Sequence, residues 1–483
     1  MNKVKCALLA AAIMAVLPFS QQFAHAQTVG LKDIYANRFL FGSILNGTTV
    51  NNNSMKQIVL REFNSITPEN ELKPDATIVA NGSTNADVKV QLNTNARAIL
   101  KFCEDNNIPV RGHTLVWHSQ TPGWFFRENF NASGAVVSKT VMNQRMESYI
   151  KNMFALIAKD YPNLNLYAYD VVNEASSESG GPRTAGSDAS SGQSMWVQVY
   201  GDNSFVEEAF KHARRYAPST TKLYYNDYNE YISAKRNYIA NSIVKPLYDK
   251  GLLDGMGMQS HLDVRGGNDA YPSASDYGAA ITMYKNIGVE IQVTELDATV
   301  NNSNFTAQAT YYKNIMNEIL NKGGSAVKAV VVWGIQDDQS WRKDRNPLLF
   351  NSSAAKKAAY NELANLIPES EWGKKSSSSA AKSSSSVALS SSSAVKSSSS
   401  VTPSSSSVAG SSSSVAPSSS SAAESSSSSE GSPTPIAHYP LNIHSEIPAY
   451  YTIKGEPVGS TKPAKPGVYL VKRGNSVQKI VIR

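Results

Sequence analysis

The chain has 483 residues, 41% of them hydrophobic, which is enough for a sizeable core and more than one ordinary domain needs. Its formal charge of +7 is unevenly placed, because Lys3 and Lys5 sit at the extreme N-terminus and the last stretch, 433–483, carries a surplus of five. The rest is close to neutral and shows no basic stripe or motif, which excludes nucleic acid as a partner of the main domain.

Residues 1–26 read as a signal peptide. Lys3 and Lys5 precede an apolar run from Cys6 to Leu17, and Ala24-His25-Ala26 supplies a small-residue cleavage site. The run is too short to span a bilayer, and no later one reaches the roughly 18 apolar residues a membrane helix needs. The expectation is a secreted protein without a membrane span. Cys6 leaves with the leader, so the mature chain holds one thiol and no intramolecular disulfide. That thiol, Cys103, shares a helical pattern with Ala98, Ile99 and Phe102 and reads as a buried core residue.

From about residue 27 to 372, strand-like runs alternate with helical ones. FLFGSIL (39–45), SITPEN (65–70), PVRGHTLVW (109–117) and LYAYDVVNE (166–174) come first. KLYYNDYN (222–229), GMGMQSHL (255–262), EIQVTELD (290–297) and AVVVWGIQD (329–337) follow. Amphipathic stretches lie between them at 55–63, 95–106, 145–160, 204–217, 236–250 and 309–322. Eight such strands, each followed by a helix, in about 340 residues predict an α/β fold, the (β/α)8 or TIM barrel. A doubly wound open sheet is the alternative, but no Gly-rich phosphate loop follows the first strand.

Nearly every strand run ends in Asn, Asp, Glu, His or Gln, at the end where barrels place their sites. Glu174 closes the fourth run and Glu295 the seventh. Opposed across a barrel mouth, two such carboxyls can bracket a sugar, one protonating the leaving oxygen and the other attacking the anomeric carbon. A preceding Asn173 could bond the sugar 2-hydroxyl. Retention of anomeric configuration, with carboxyls about 5–5.5 Å apart, is expected. Glu174 should hold its proton with help from an ionised Glu295.

The blocks TPENELKPD, RGHTLVWHSQTPGW, DVVNEA, YYNDYN, GMGMQSHL, VTELDA and WGIQDDQSW together resemble glycoside hydrolase family 10. Its best-known members are endo-1,4-β-xylanases with a (β/α)8 fold. The resemblance runs from about residue 30 to 368 and covers every barrel strand but the first. It implies Glu174 as acid/base and Glu295 as nucleophile. It also implies sugar-binding roles for Glu69, Asn70 and Lys73, and for His113, Trp117 and Gln120 around the sugar at the point of cleavage. Gln259 and His261 would lie near the nucleophile, Tyr228 beside the acid/base, and Trp333 and Trp341 would form aromatic walls. Taken alone, Glu69 and Lys73 read as a surface ion pair, and His118 as a core histidine.

The implied substrate is xylan or a related plant cell-wall polysaccharide. A β-1,4-glucanase or mixed enzyme of the same family is the alternative, and a non-catalytic polysaccharide-binding barrel a more distant one. No metal-ligand spacing stands out, and a two-carboxylate mechanism needs no metal or cofactor. The loop 176–194 is rich in Gly and Ser and predicts mobility near the leaving-group side, with Arg183 unassigned. Residues 373–432 are Ser-rich and read as a flexible linker. The basic tail, 433–483, ends in two apolar runs around Arg-Gly-Asn that suggest a β-hairpin. The tail resembles a type IX secretion sorting signal, which would make export machinery a partner. A charged surface anchor or a plain β-appendage would fit the same residues. A monomer is expected.

Overall fold

The computed structural model describes residues 29–265, 269–301 and 303–373, and the tail strands at 449–452, 457–459, 467–473 and 476–482. The signal peptide and the Ser-rich linker lie outside the described residues. Two units divide within the Ser-rich stretch, and each is taken separately below.

The first unit is a closed barrel of eight parallel strands. They are β1 (Leu40–Leu45), β2 (Ser65–Pro68), β3 (Val110–Gly112), β4 (Leu166–Asn173), β5 (Lys222–Asp227), β6 (Gly255–Met258), β7 (Glu290–Val300) and β8 (Val327–Val332). Each pairs with the next, and β8 returns to β1 with Leu40 opposite Ala329. Closure removes both sheet edges, and helices outside bury the other faces, so the strands read as near-continuous apolar runs.

The surrounding helices are α1 (Asn53–Glu62), α2 (Thr94–Asp105), α3 (Lys139–Asp160) and α4 (Ser204–Tyr216). A fifth, α5, begins at Ser233–Tyr238, passes through a π-helical stretch Ile239–Val244 and ends in Lys245–Asp249. The last three are α6 (Ala274–Ile287), α7 (Phe305–Glu318) and α8 (Ala358–Ala364). Asn52, Asn93, Ser138, Ser273 and Asn304 cap their helices by accepting from backbone N–H groups. Among the described residues no helix is long and apolar enough to cross a membrane.

Two irregularities fall on the strands that carry the carboxylates. Along β4 and β5 the register skips Val171, pairing Tyr224 with Asp170 and Tyr225 with Val172. Along β7 and β8 it jumps from Val293–Val330 to Leu296–Val332, so Thr294 and Glu295 sit in the break. Such bulges re-aim side chains at barrel rims.

At the opposite end the unit is tied to itself. Tyr35 donates to the Leu363 carbonyl at 2.7 Å, and the Gly373 N–H to the Asp33 carbonyl at 3.1 Å. Cys103 is fully buried on α2.

The second unit is a four-stranded antiparallel sheet. Gly467–Arg473 and Ser476–Ile482 form the expected hairpin, with Gly467 opposite Ile482 and Arg473 opposite Ser476. Ala449–Thr452 pairs with the first of these, and Pro457–Gly459 with Ala449–Thr452.

Candidate active site

Glu174 follows the last residue of β4 with a φ of 57°, a left-handed conformation that a non-glycine side chain keeps only when its surroundings impose it. Its N–H donates to the Asn226 carbonyl of β5 at 2.8 Å. Oε1 accepts from Gln259 Nε2 at 2.9 Å and from Asn173 Nδ2 at 3.3 Å. Oε2 accepts from Trp117 Nε1 at 2.9 Å.

Burial, and after it the charge of Asp227, push this carboxyl above the usual range. The hydrogen bonds from Gln259 and Trp117 and the charge of Arg183 oppose them. The like-charge neighbour is therefore Asp227 at the end of β5, not Glu295 as the sequence suggested. Glu295 has its own counter-charge.

That counter-charge is His261. Its Nε2 lies 3.1 Å from Glu295 Oε2 and its Nδ1 3.0 Å from Asp297 Oδ2. Glu295 Oε1 accepts from Asn226 Nδ2 at 2.8 Å. Burial alone would raise Glu295. The hydrogen bond from His261, the charges of His113 and His261 and the Asn226 amide outweigh it and bring the carboxyl down to about 2. In turn burial disfavours the charged imidazole, but Asp297 and Glu295 prevail and raise His261 to about 10. One carboxyl is thus built to hold a proton and the other to lose it.

A short polar chain joins the two. Asn173 Oδ1 accepts from Asn226 Nδ2 at 2.9 Å and from Gln259 Nε2 at 3.2 Å. The same Asn226 amide reaches Glu295, and the same Gln259 amide reaches Glu174.

All the candidate residues from the sequence line one cleft of about 490 Å³ at this end of the barrel. Glu69 and Lys73 do not pair with each other. Lys73 Nζ donates to Asn70 Oδ1 at 2.9 Å and Gln120 Oε1 at 3.0 Å, while Glu69 Oε2 accepts from Asn46 Nδ2 at 2.7 Å. His113 is fixed by Asp170, with Nδ1 and Oδ2 2.9 Å apart. Trp333 is buried edge-on to His113, with ring centres 5.6 Å apart. Trp341 is the opposite case, 61% exposed at the rim and held by its Nε1 bond to Asp297 at 3.1 Å. Tyr228 lies over the Lys235 ammonium, 3.5 Å from the ring centre.

Comparison with known proteins adds the family. The model of glycosyl hydrolase family 10 matches residues 30–366. The chain belongs to glycosyl hydrolase family 10. Endo-1,4-beta-xylanase Y of Acetivibrio thermocellus is 54% identical over 365 residues, covering 72% of this chain and 33% of the relative. A bifunctional endo-1,4-beta-xylanase of Ruminococcus flavefaciens is 46% identical over 341 residues, covering 70% and 34%. The chain thus spans about a third of the length of these curated relatives. A solved Clostridium thermocellum endo-1,4-beta-D-xylanase fragment, complexed with xylohexaose, is 53% identical with a TM-score of 0.69. That match covers 72% of this chain and 69% of the fragment. A psychrophilic family 10 endo-beta-1,4-xylanase is 33% identical with a TM-score of 0.59, covering 70% of this chain and all of that one.

Several residues of this family 10 site were not singled out in the sequence. Asn226 stands inside the YYNDYN block, two residues before the assigned Tyr228. Asp297, two residues after Glu295 in VTELDA, holds His261, Trp341 and, through Oδ1, Arg342 Nη1 at 2.5 Å. Asn46 follows β1, the one strand outside the matching blocks. The loop 176–194 carries pairings and a buried side chain that its composition does not announce. A bridge between Ser176 and Pro182 and a short pairing of Thr184–Ala185 with Gln193–Ser194 shape it, and Arg183 is buried beneath. The guanidinium gives this stretch an anchor that Gly and Ser counts do not reveal. His118 is half-buried with Nδ1 unbonded, and burial beside Arg183 and Lys235 lowers it to about 3, so it stays neutral.

Proposed function

We propose that this chain is an exported, retaining endo-1,4-β-xylanase. The observation that carries the reading is the pair of carboxyls of opposite proton affinity on β4 and β7, linked through Asn173, Asn226 and Gln259. The names of the relatives support xylan as substrate.

In the first step protonated Glu174 gives its proton to the glycosidic oxygen while the Glu295 carboxylate attacks the anomeric carbon. The leaving sugar departs with that proton, and a sugar ester forms on Glu295. In the second step Glu174, now a carboxylate, takes a proton from water, and the hydroxyl displaces Glu295. Asn173 suits the sugar 2-hydroxyl, and the remaining cleft residues suit the neighbouring sugars. Trp333 and Trp341 offer aromatic faces to pyranose rings. The leader at 1–26 supports export, and the tail at 433–483 is read as a sorting signal for it.

Turnover on xylan and on soluble cellulose, with NMR of the first product anomer, tests the proposal. Xylan should be strongly preferred and the first product should be the β-anomer. Equal turnover of cellulose would replace the substrate assignment, and an initial α-anomer would replace the mechanism.

A further inference from the structure

Arg183 is 5% exposed although it comes from a Gly- and Ser-rich loop, and nothing in the two displacement steps employs it. Burying a guanidinium is costly unless its hydrogen bonds and charge are answered. Its Nε donates to the Glu174 carbonyl at 2.5 Å and its Nη1 to the Gly192 carbonyl at 3.4 Å. Nη2 stands 3.9 Å from Glu174 Oε2 and is buried without a hydrogen-bond partner of its own. The guanidinium is therefore clamped by backbone carbonyls and by the Tyr228 hydroxyl, with Nη2 near the Glu174 oxygen that Trp117 also touches.

We propose that Arg183 is a positioning residue for Glu174, holding its backbone in the left-handed conformation and answering the negative charge it acquires on giving up its proton. The proposal rests on the acid/base reading of Glu174. The backbone half follows from geometry: Glu174 N–H is held by Asn226 and its carbonyl by Arg183, so both peptide groups of a strained residue are pinned. The charge half follows from distance. At 3.9 Å Nη2 is too far for a hydrogen bond to the protonated acid, yet close enough to favour the carboxylate.

The neighbouring groups leave this task open. Asp227 favours the protonated form of Glu174; it pairs with Lys235 Nζ at 3.0 Å and the Tyr225 hydroxyl at 2.5 Å, and Arg183 feels its charge as well as that of Glu174. Lys235 is shared further with Glu178 at 3.5 Å and the face of Tyr228. His118 is neutral, and Trp117 and Gln259 contribute dipoles without charge. On the far side of the cleft, Lys73 is engaged by Asn70 and Gln120, and Glu295 by His261.

The test is the pH profile of kcat/KM on a xylo-oligosaccharide for wild type, Arg183→Gln, Arg183→Met and Arg183→Lys. Removing the cation makes Glu174 keep its proton to higher pH, so the alkaline limb moves up. The ratio of activity at pH 8 to that at pH 6 should rise on the order of threefold in the Gln and Met variants. The Lys variant keeps the charge and should keep the wild-type profile. Gln retains a donor for the Glu174 carbonyl, so it serves if the Met variant does not fold. A uniform loss of rate with an unmoved alkaline limb overturns the proposal. Azide with Glu174→Ala, on an aryl xyloside with a good leaving group, separates the underlying reading. A β-glycosyl azide product supports Glu174 as acid/base, and its absence overturns that assignment whatever Arg183 does.

Discussion

Glu174 and Glu295 are one side chain placed in two surroundings. The first meets amide and indole donors that leave it room for a proton, and the second meets an imidazole held charged by Asp297. His261 is thus the residue that keeps Glu295 ionised, and its replacement has a definite sign. In His261→Asn the carboxyl loses its counter-charge and holds its proton to higher pH. Because attack needs the carboxylate, the acidic limb of kcat/KM should move upward and activity near pH 4 should fall on the order of tenfold relative to pH 6. A pH–rate profile checks it, and an unmoved acidic limb would reject the assignment. At this scale Glu174, Glu295 and Asn173 were legible because a strand-end position and a chemical task coincide in each. The other cleft residues came from the family resemblance, and Glu69 and Lys73 taken alone read as a surface pair. Asn226, Asp297 and Arg183 were not legible, because they act through another side chain and their own types carry no signal of that.

Strands β5 and β6 show how an element is shaped for its neighbour. Tyr224 and Asn226 lie opposite Gly255 and Gly257. A Cβ on Gly257 would fall 2.4 Å from Asn226 Oδ1 and 3.1 Å from Arg111 Nη2. Glycine there makes space for the amide that bonds both Glu295 and Asn173. Gly257→Ala should therefore destabilise the barrel by about 1–3 kcal/mol and lower kcat more than KM changes. Urea unfolding together with steady-state kinetics reads both effects, and wild-type stability would refute the crowding argument. The eight strands were visible because buried parallel strands are apolar throughout. Helix α6 was passed over, since Gly278, Thr282 and Lys285 interrupt its hydrophobic tone. Its core face, Tyr277, Ala280, Ile281 and Tyr284, nonetheless keeps helical spacing. The burial of Arg183 from the loop 176–194 is likewise not readable from a composition of small residues.

In the molecule as a whole, the barrel holds its own core and closes its own sheet, with Cys103 as a buried thiol and no cross-link among the described residues. Deleting residues 433–483 should leave turnover of soluble xylan within about twofold and stability within about 0.5 kcal/mol. Steady-state assays and thermal melts on the truncated chain decide this, and a large loss of turnover would show that the tail takes part in catalysis. The tail's hairpin was legible from alternating apolar residues flanking a turn. Its purpose is a different matter, since strand pairing carries no address by itself.

The hydrogen bonds that join Asp33 to Gly373 and Tyr35 to Leu363 set where the polypeptide leaves the barrel. That point lies at the N-terminal ends of the strands, whereas both carboxylates stand at the C-terminal ends. Within the barrel unit, Gly373 and the two carboxyls therefore stand at opposite ends of the strands. On the proposed endo-hydrolysis, a polymer lying across the mouth meets neither Asp33 nor Gly373, so both directions along the cleft are open past this closing contact.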